Sequence, residues 1–400
     1  MTPTATALAS WASALRPDGA ERALAERALA DTLGATLAAR GHRLEQVVAG
    51  LSDGARWAAL GHVLDFDDLH MGSTAHVSVV CVPATLAAGG DARTYLAAAG
   101  VMSRLGTALG WAHYSRGWHA TCTAGAPAAA VAGALALGLD EDRIAAAIAL
   151  AVPAAGGVQR AFGTDAKSLQ VGFAVDAGLR AARLAAAGAT ADPAALDAWL
   201  DLLSPARAPV DLSGPAVPGG LAIKMFPCCY ALQRPIAAVQ QLRDGSWTAA
   251  DVSRIVVTTP AATLAPLIHH RPRTGLQAKF SLEYAVTTAI LDDHPGLAAF
   301  EDAAVGRPQA RELLERVEIT AVPGGAGLLD GACVLTVELS DGRSLSTSLD
   351  QPPGSPGRPP TEAQLAAKLA DCAPDVLAAG CRPGWADAAD LLATALPAGE

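Results

Sequence analysis

SGPAVPGG, residues 213–220, is the stretch at which the chain changes texture. Its glycines and prolines interrupt helix and strand alike. Upstream, residues 20–50, 55–66, 77–110, 122–137, 141–155 and 166–188 are Ala/Leu-rich at helical spacing. Downstream, VSRIVVTTP (252–260), RVEITAV (316–322) and ACVLTVELSDGRSLSTSL (332–349) are β-branched and partly alternating. Asp341-Gly342 inside the last of these predicts a hairpin. FSLEYAVTTAILDD (280–293) predicts a helix between strands, and QPPGSPGRPP (351–360) a linker. TEAQLAAKLADCA and DAADLLATAL then return to Ala-rich helix. The expected fold is therefore mainly α. Residues 1–220 and 361–400 form a large all-helical domain, and residues 221–360 a smaller inserted α+β lid domain. No fixed-period repeat points to a solenoid.

Bulk composition narrows the function classes. Hydrophobic residues reach 51% with only 4% aromatic, so much of the apolar content is alanine and the helices should pack closely. A net charge of −10 argues against a nucleic-acid partner, because a phosphate backbone needs a basic surface. The N-terminal segment lacks the basic head and long apolar core of a signal peptide, and no window offers about 20 uninterrupted lipid-grade residues. A soluble cytoplasmic protein with no membrane partner is expected. The seven cysteines (Cys81, Cys122, Cys228, Cys229, Cys333, Cys372 and Cys381) are odd in number and form no C-x-x-C, so neither a disulfide framework nor a zinc site is suggested.

Against this apolar background, titratable groups crowd into LDFDDLHMGSTAHVS (64–78). RWAALGHVLDFDD reads as a helix whose last turn carries Asp65, Asp67 and Asp68, at the negative end of the helix dipole. Asx turns or N-caps of the next helix are the plain structural alternative. In GTDAKSLQVGFAVDAGLRAARLAAAG (163–188), Asp165 as N-cap puts Lys167 in the first turn, where a cation opposes the dipole unless both face an anion. A solvent-facing lysine is the alternative. Only four lysines occur, against 25 arginines. Three of them, Lys167, Lys224 and Lys279, fall in unusual stretches. Lys368, in the terminal helix, reads as a surface residue. In SRGWHATCTAGAP (115–127), His119, Thr121 and Thr123 open an Ala-rich helix, a setting suited to a carboxylate and to proton exchange. Cys228 and Cys229 read as packing residues.

Taken in order, these motifs resemble the MmgE/PrpD family, which includes 2-methylcitrate dehydratase, cis-aconitate decarboxylase and iminodisuccinate epimerase. The resemblance rests on DFDDLH (65–70), HVS (76–78), GWHATCTAG (117–125), GTDAKSLQVGFA (163–174), KMFPCC (224–229) and FSLEY (280–284), and spans roughly residues 20 to 350. It implies a helical domain and a smaller α+β lid with the active site between them, a homodimer, and no metal or organic cofactor. It carries functional positions onto Asp65, His76, His119, Lys167 and Lys224, and the tyrosine of the lid motif onto Tyr284. Leu69, Val77 and Gln233 depart from it, where family members commonly have threonine, proline and histidine.

The reactions of such a family build negative charge on a carbon beside a carboxylate, so they need anchored carboxylates and acid/base groups within reach. The expectation is a lyase of the dehydratase or decarboxylase type acting on a small di- or tricarboxylate. Lys167 and Lys224 would hold carboxylates with help from Thr121, Thr123, Lys279 and Tyr284. His76 and His119 would exchange protons. Asp65 and Asp68 would orient a histidine or bind a substrate hydroxyl, with His70 a further candidate. Closure at Lys224 would complete the site. Three other readings stay open: an epimerase of an amino- or imino-dicarboxylate using the same anion site; a metal site built from the Asp/His cluster, whose spacing matches no familiar cage; and a non-catalytic scaffold.

Overall fold

The computed structural model describes residues 2–323, 327–376 and 383–397; Cys381 lies outside them. The described residues are mainly α, with one small sheet among them. The N-terminal part begins with helices Thr4–Ala14 and Gly19–Leu37, the second opened by a capping box between Asp18 and Glu21. Helices Asp53–Val63, Ser78–Ala87, Ala92–Ser115, Ala120–Ala136, Glu141–Ala151 and Asp165–Ala186 follow. Two of the long predicted runs are cut. Residues 20–50 break after Leu37, and residues 77–110 break at the Gly89–Gly90 turn, where Gly89 takes φ +73°.

Alanine and glycine let these helices approach until backbones touch. A Cβ added at Gly172 would lie 2.6 Å from Ala55 O, and one at Gly178 would lie 2.4 Å from Ala126 O. The helix Asp165–Ala186 thus runs directly against Asp53–Val63 on one side and Ala120–Ala136 on the other. That wedge brings Lys167 beside the ends of both neighbours.

Among the described residues the buried apolar side chains form two hydrophobic cores. The first gathers side chains from Ala5 to Val217 and also Leu369, Ala373, Ala388, Leu392 and Leu396, so the tail helices Glu362–Cys372 and Trp385–Ala395 pack back onto the N-terminal part. The second spans Ala222 to Leu349 and takes in Leu69 and Phe162 from the first part. Its sheet has the order β2-β1-β3-β4, with β1 Val252–Pro260, β2 Val317–Val322, β3 Cys333–Leu339 and β4 Ser344–Leu349. β1 and β2 are parallel; β3 pairs antiparallel with both β1 and β4. The β3–β4 turn holds Gly342 at φ +89°, which is why Asp341-Gly342 signals a hairpin. Helices Gln233–Leu242 and Leu282–Leu291 cover this core.

Lys368 corrects its surface assignment. It is 5% exposed, pairs with Asp31 at 2.6 Å, donates to Phe66 O and lies over the Phe66 ring. The terminal helix is docked through this lysine, so its polar face is not solvated there.

Candidate active site

The helix Asp53–Val63 ends before the aspartates, not under them. Asp65 N–H bonds back to His62 O and the residue takes φ +54°, a left-handed conformation that is uncommon outside glycine. This turn separates the three carboxylates. Asp65 faces the lysines, Asp67 the histidines, and Asp68 the next helix.

Asp65 is buried between two cations, with Oδ1 2.7 Å from Lys167 Nζ and 3.1 Å from Lys224 Nζ. Lys224 also donates to Asp65 O at 2.8 Å. Burial alone would raise the Asp65 carboxyl; the two ammonium groups overcome it and hold it well below the usual range. Burial likewise works against the Lys224 charge, and Asp65 more than restores it, leaving its pKa raised. The unfavourable cation in the first turn of Asp165–Ala186 is therefore balanced by a carboxylate of the protein itself. Asp165 is the first residue of that helix, after Thr164 at the cap, and pairs with Arg43. Gln233 holds the loop that carries Lys224: its Oε1 accepts from Met225 N and Phe226 N, both at 3.0 Å.

Three imidazoles cluster above this pair. His62 and His119 stack at 5.6 Å, and His76 meets His62 edge-on at 4.7 Å. Their partners fix the proton on each ring. Lys167 donates to His62 Nε2 at 2.7 Å, so His62 carries its proton on Nδ1 and gives it to Asp67 Oδ2 at 2.8 Å. His76 Nδ1 lies 3.0 Å from the same oxygen, off the ideal hydrogen-bond direction. A carboxylate only accepts, so this contact favours the His76 tautomer with its proton on Nδ1 and a lone pair on Nε2. His119 is the reverse. Val158 N–H donates to Gln170 Oε1, which turns the Gln170 amide so that Nε2 donates to His119 Nδ1 at 2.7 Å. The His119 proton therefore sits on Nε2. Burial lowers the pKa of all three rings, with His62 brought to about 4. Burial would raise Asp67, and its contacts with His62 and His76 instead bring it well below the ordinary value.

Asp65, His76, His119 and Lys167 line one small cavity with Leu69, Thr74, Tyr114, Phe162, Cys229, Tyr230, Phe280 and Leu328. Lys224 stands directly behind Asp65. The other sequence candidates do different work. Thr121 Oγ1 accepts from His76 N, and Thr123 Oγ1 donates to His119 O, so these hydroxyls seat the histidines. Asp68 accepts from Ser78 N and Ser78 Oγ, capping the next helix. His70 donates to Pro218 O and accepts from Ser73, tying the loop to the 213–220 stretch. Tyr284 is fully buried in the second core and donates to Ala299 O. Lys279 is buried beside the site and donates to Pro227 O at 2.6 Å. Sequence reasoning missed His62, Asp67 as the histidine orienter, and Gln170. The available signal for His62 was a histidine three residues before Asp65, at the end of the apolar run Trp57–Gly61.

His62, Asp65, Asp67 and His76 place ligand atoms within 4.8 Å of one another, a donor set that suits a divalent metal. Lys167 and Lys224 already supply beside it the positive charge such an ion would bring.

Comparison with known proteins accords with this geometry. The chain is 26% identical over 256 residues to human (Homo sapiens) cis-aconitate decarboxylase, covering 58% of this chain and 51% of that protein. It is 26% identical over 222 residues to the mouse (Mus musculus) cis-aconitate decarboxylase, covering 51% of this chain and 45% of that protein. The chain thus spans about half the length of these curated relatives. Residues 53–204 match the MmgE/PrpD N-terminal domain and carry Asp65, His76, His119 and Lys167; residues 226–382 match the MmgE/PrpD C-terminal domain. With both halves matched in order, and the acid/base cluster lying where the two cores meet, the chain belongs to the MmgE/PrpD family.

Proposed function

We propose that this protein is a lyase of the dehydratase or decarboxylase type that acts on a small carboxylate. The observation that supports this most directly is the opposite polarity of the groups facing two cavity histidines: a carboxylate oxygen lies 3.0 Å from His76 Nδ1, and the Gln170 amide nitrogen lies 2.7 Å from His119 Nδ1. His76 offers a lone pair on Nε2 and is the base. His119 offers a proton on Nε2 and is the acid. In dehydration, His76 takes the proton from the carbon beside the carboxylate, the C–O bond breaks, and His119 gives its proton to the departing hydroxide. An alkene and water leave, with one proton gained by His76 and one lost by His119, to be exchanged back before the next turnover. Asp67 stabilises the imidazolium that forms on His76. Lys167 and Lys224 provide fixed positive charge near the developing carbanion. The same groups serve decarboxylation, in which a C–C bond breaks, CO₂ leaves and the carbanion takes a proton from His119.

The test is turnover of hydroxy and unsaturated carboxylates followed by mass spectrometry in deuterated water. Loss or gain of water, or release of CO₂, is the expected result, lost in His119→Gln and His76→Asn. Deuterium incorporation with neither would instead indicate epimerisation.

A further inference from the structure

We propose that Lys368, on the tail helix Glu362–Cys372, is a positioning residue for the acid/base cluster: it holds the Phe66 carbonyl, and through it the direction from which Asp67 meets His62 and His76. The inference rests on the lyase reading and adds to it a part of the chain that does not line the cavity.

The loop between Asp65 and Leu69 has to be held from outside. Asp65 stands in a left-handed conformation at φ +54°, which a residue with a side chain keeps only where its surroundings impose it. Among the described residues, the main-chain groups of Phe66, Asp67 and Asp68 make no hydrogen bond to other main-chain groups. Two ammonium groups grip the stretch. Lys224 donates to Asp65 O and Lys368 to Phe66 O, both at 2.8 Å. These carbonyls are successive, so the two lysines fix two adjoining peptide units. Asp67 leaves from the second unit, and its Oδ2 lies 2.8 Å from His62 Nδ1 and 3.0 Å from His76 Nδ1. Without Lys368 the Phe66 carbonyl loses its donor, and this unit is free to rotate.

Lys368 is itself fixed. Its ammonium pairs with Asp31 at 2.6 Å and lies 4.0 Å from the centre of the Phe66 ring. All three residues are buried. The tail helix reaches this depth because Gly34, one turn after Asp31 in Gly19–Leu37, has no side chain: a Cβ there would lie 2.8 Å from Leu369 Cδ2. A buried ion pair adds little to stability over an apolar pair of similar size. An apolar residue in place of Lys368 could pack here, but it could not donate to Phe66 O.

The experiment separates positioning from folding. Lys368→Met alone leaves Asp31 buried without a cation, so the main variant combines Lys368→Met with Asp31→Asn and removes both charges while keeping the shape. Asp31→Asn alone keeps the lysine donor. Turnover of malate, citrate and cis-aconitate is followed by mass spectrometry, and the His62 Nδ1 proton by NMR in the ligand-free proteins. The double variant should show a kcat lower by about 10- to 100-fold with KM within about threefold of wild type, because a small misplacement of a working group acts on the chemical step. Its His62 proton, donated to Asp67, should exchange with water at least about tenfold faster, as expected when a hydrogen bond to a charged group is weakened. Asp31→Asn should stay close to wild type in both. A merely structural lysine would lower Tm and move neither readout. A folded double variant with wild-type kcat and a wild-type His62 proton overturns the inference, and so does Asp31→Asn as impaired as the double variant, since the donor is then not what matters. A wild type inert toward all three carboxylates counts against the lyase reading alone, and the His62 proton then decides the positioning role.

Discussion

Gln170 shows how one amide decides chemistry. It reads the Val158 N–H with its oxygen and imposes acceptor status on His119 Nδ1 with its nitrogen. Gln170→Leu removes the lock, and the ring can rotate or place its proton on the wrong nitrogen. The expected result is a kcat lower by about 10- to 100-fold with little change in KM, as for other residues that orient a working imidazole through a hydrogen bond. Equal kcat for the variant would dissociate the acid role from this tautomer. Asp68 supplies a second prediction, in stability. Burial first, and then the nearby Asp31 charge, raise its carboxyl to about 7. Between the unfolded value of about 3.9 and about 7, the folded state binds more protons than the unfolded chain, so stability is lost as pH rises through that window. Asp68→Asn mimics the protonated group toward Ser78. It should raise Tm relative to wild type at about pH 8 and have little effect at about pH 5; the reverse order in a thermal scan would refute the assignment. Sequence reading found Asp65, His76 and His119 because their types and spacing are visible. It offered Asp68 as a group that orients a histidine and gave Asp67 no role of its own, whereas in the structure Asp67 faces His62 and His76 and Asp68 faces Ser78. The left-handed turn at Asp65 decides which carboxylate faces which partner, and a non-glycine residue gives no signal for that backbone state.

The decisive element is the helix Asp165–Ala186. Its first turn carries Lys167, and its middle is pressed against two neighbouring backbones at Gly172 and Gly178. Gly178→Ala would set a methyl 2.4 Å from Ala126 O and 2.6 Å from Ala130 N, neither of which is the end of a flexible side chain. Overpacking of this kind costs about 1–3 kcal/mol. The displacement should also loosen the contact of Lys167 with His62 and Asp65, so urea unfolding and kcat should both report the change. A variant as stable and as active as wild type would show that the helix is not clamped at this point. Lys167→Met probes the other end. It removes one of two cations from a fully buried carboxylate, and breaking such a pair costs about 3–5 kcal/mol. An unfolding free energy within about 1 kcal/mol of wild type would mean that Lys224 alone satisfies Asp65. Helix existence was legible from Ala/Leu periodicity. Helix ends were less so, because breaks such as Gly89–Gly90 interrupt segments whose apolar spacing continues on either side. Glycine at 172 and 178 looks like weak helix propensity in sequence. In the structure it is the condition for close approach.

At the scale of the molecule, the two textures that meet at residues 213–220 become two hydrophobic cores. The crossing points were not legible, since Leu69 and Phe162 sit in loops of the N-terminal part and yet join the second core. Main-chain bonds reinforce that crossing: Leu69 N–H to Ala222 O at 2.9 Å and Ala222 N–H to Leu69 O at 2.8 Å. Between the parts, the cavity offers only about 20 Å³, room for about one water molecule. On the proposed function, a carboxylate of four or more carbons would not fit this space, and we predict that the second part moves away from the first to admit it. The prediction is that this motion stretches the Leu69–Ala222 pair, whose backbone bonds tie the 64–77 loop to the start of the second part. Hydrogen exchange at these two amides should therefore report opening directly. In the free protein they should exchange faster than the fully buried amides of Ala129 and Ala130 in the helical core. A saturating non-reactive substrate analogue should slow them by the factor 1 + [L]/Kd, provided that the analogue leaves only from the open form. Exchange that is unchanged by an analogue that demonstrably raises Tm would place substrate passage elsewhere and leave the two cores fixed against each other throughout turnover.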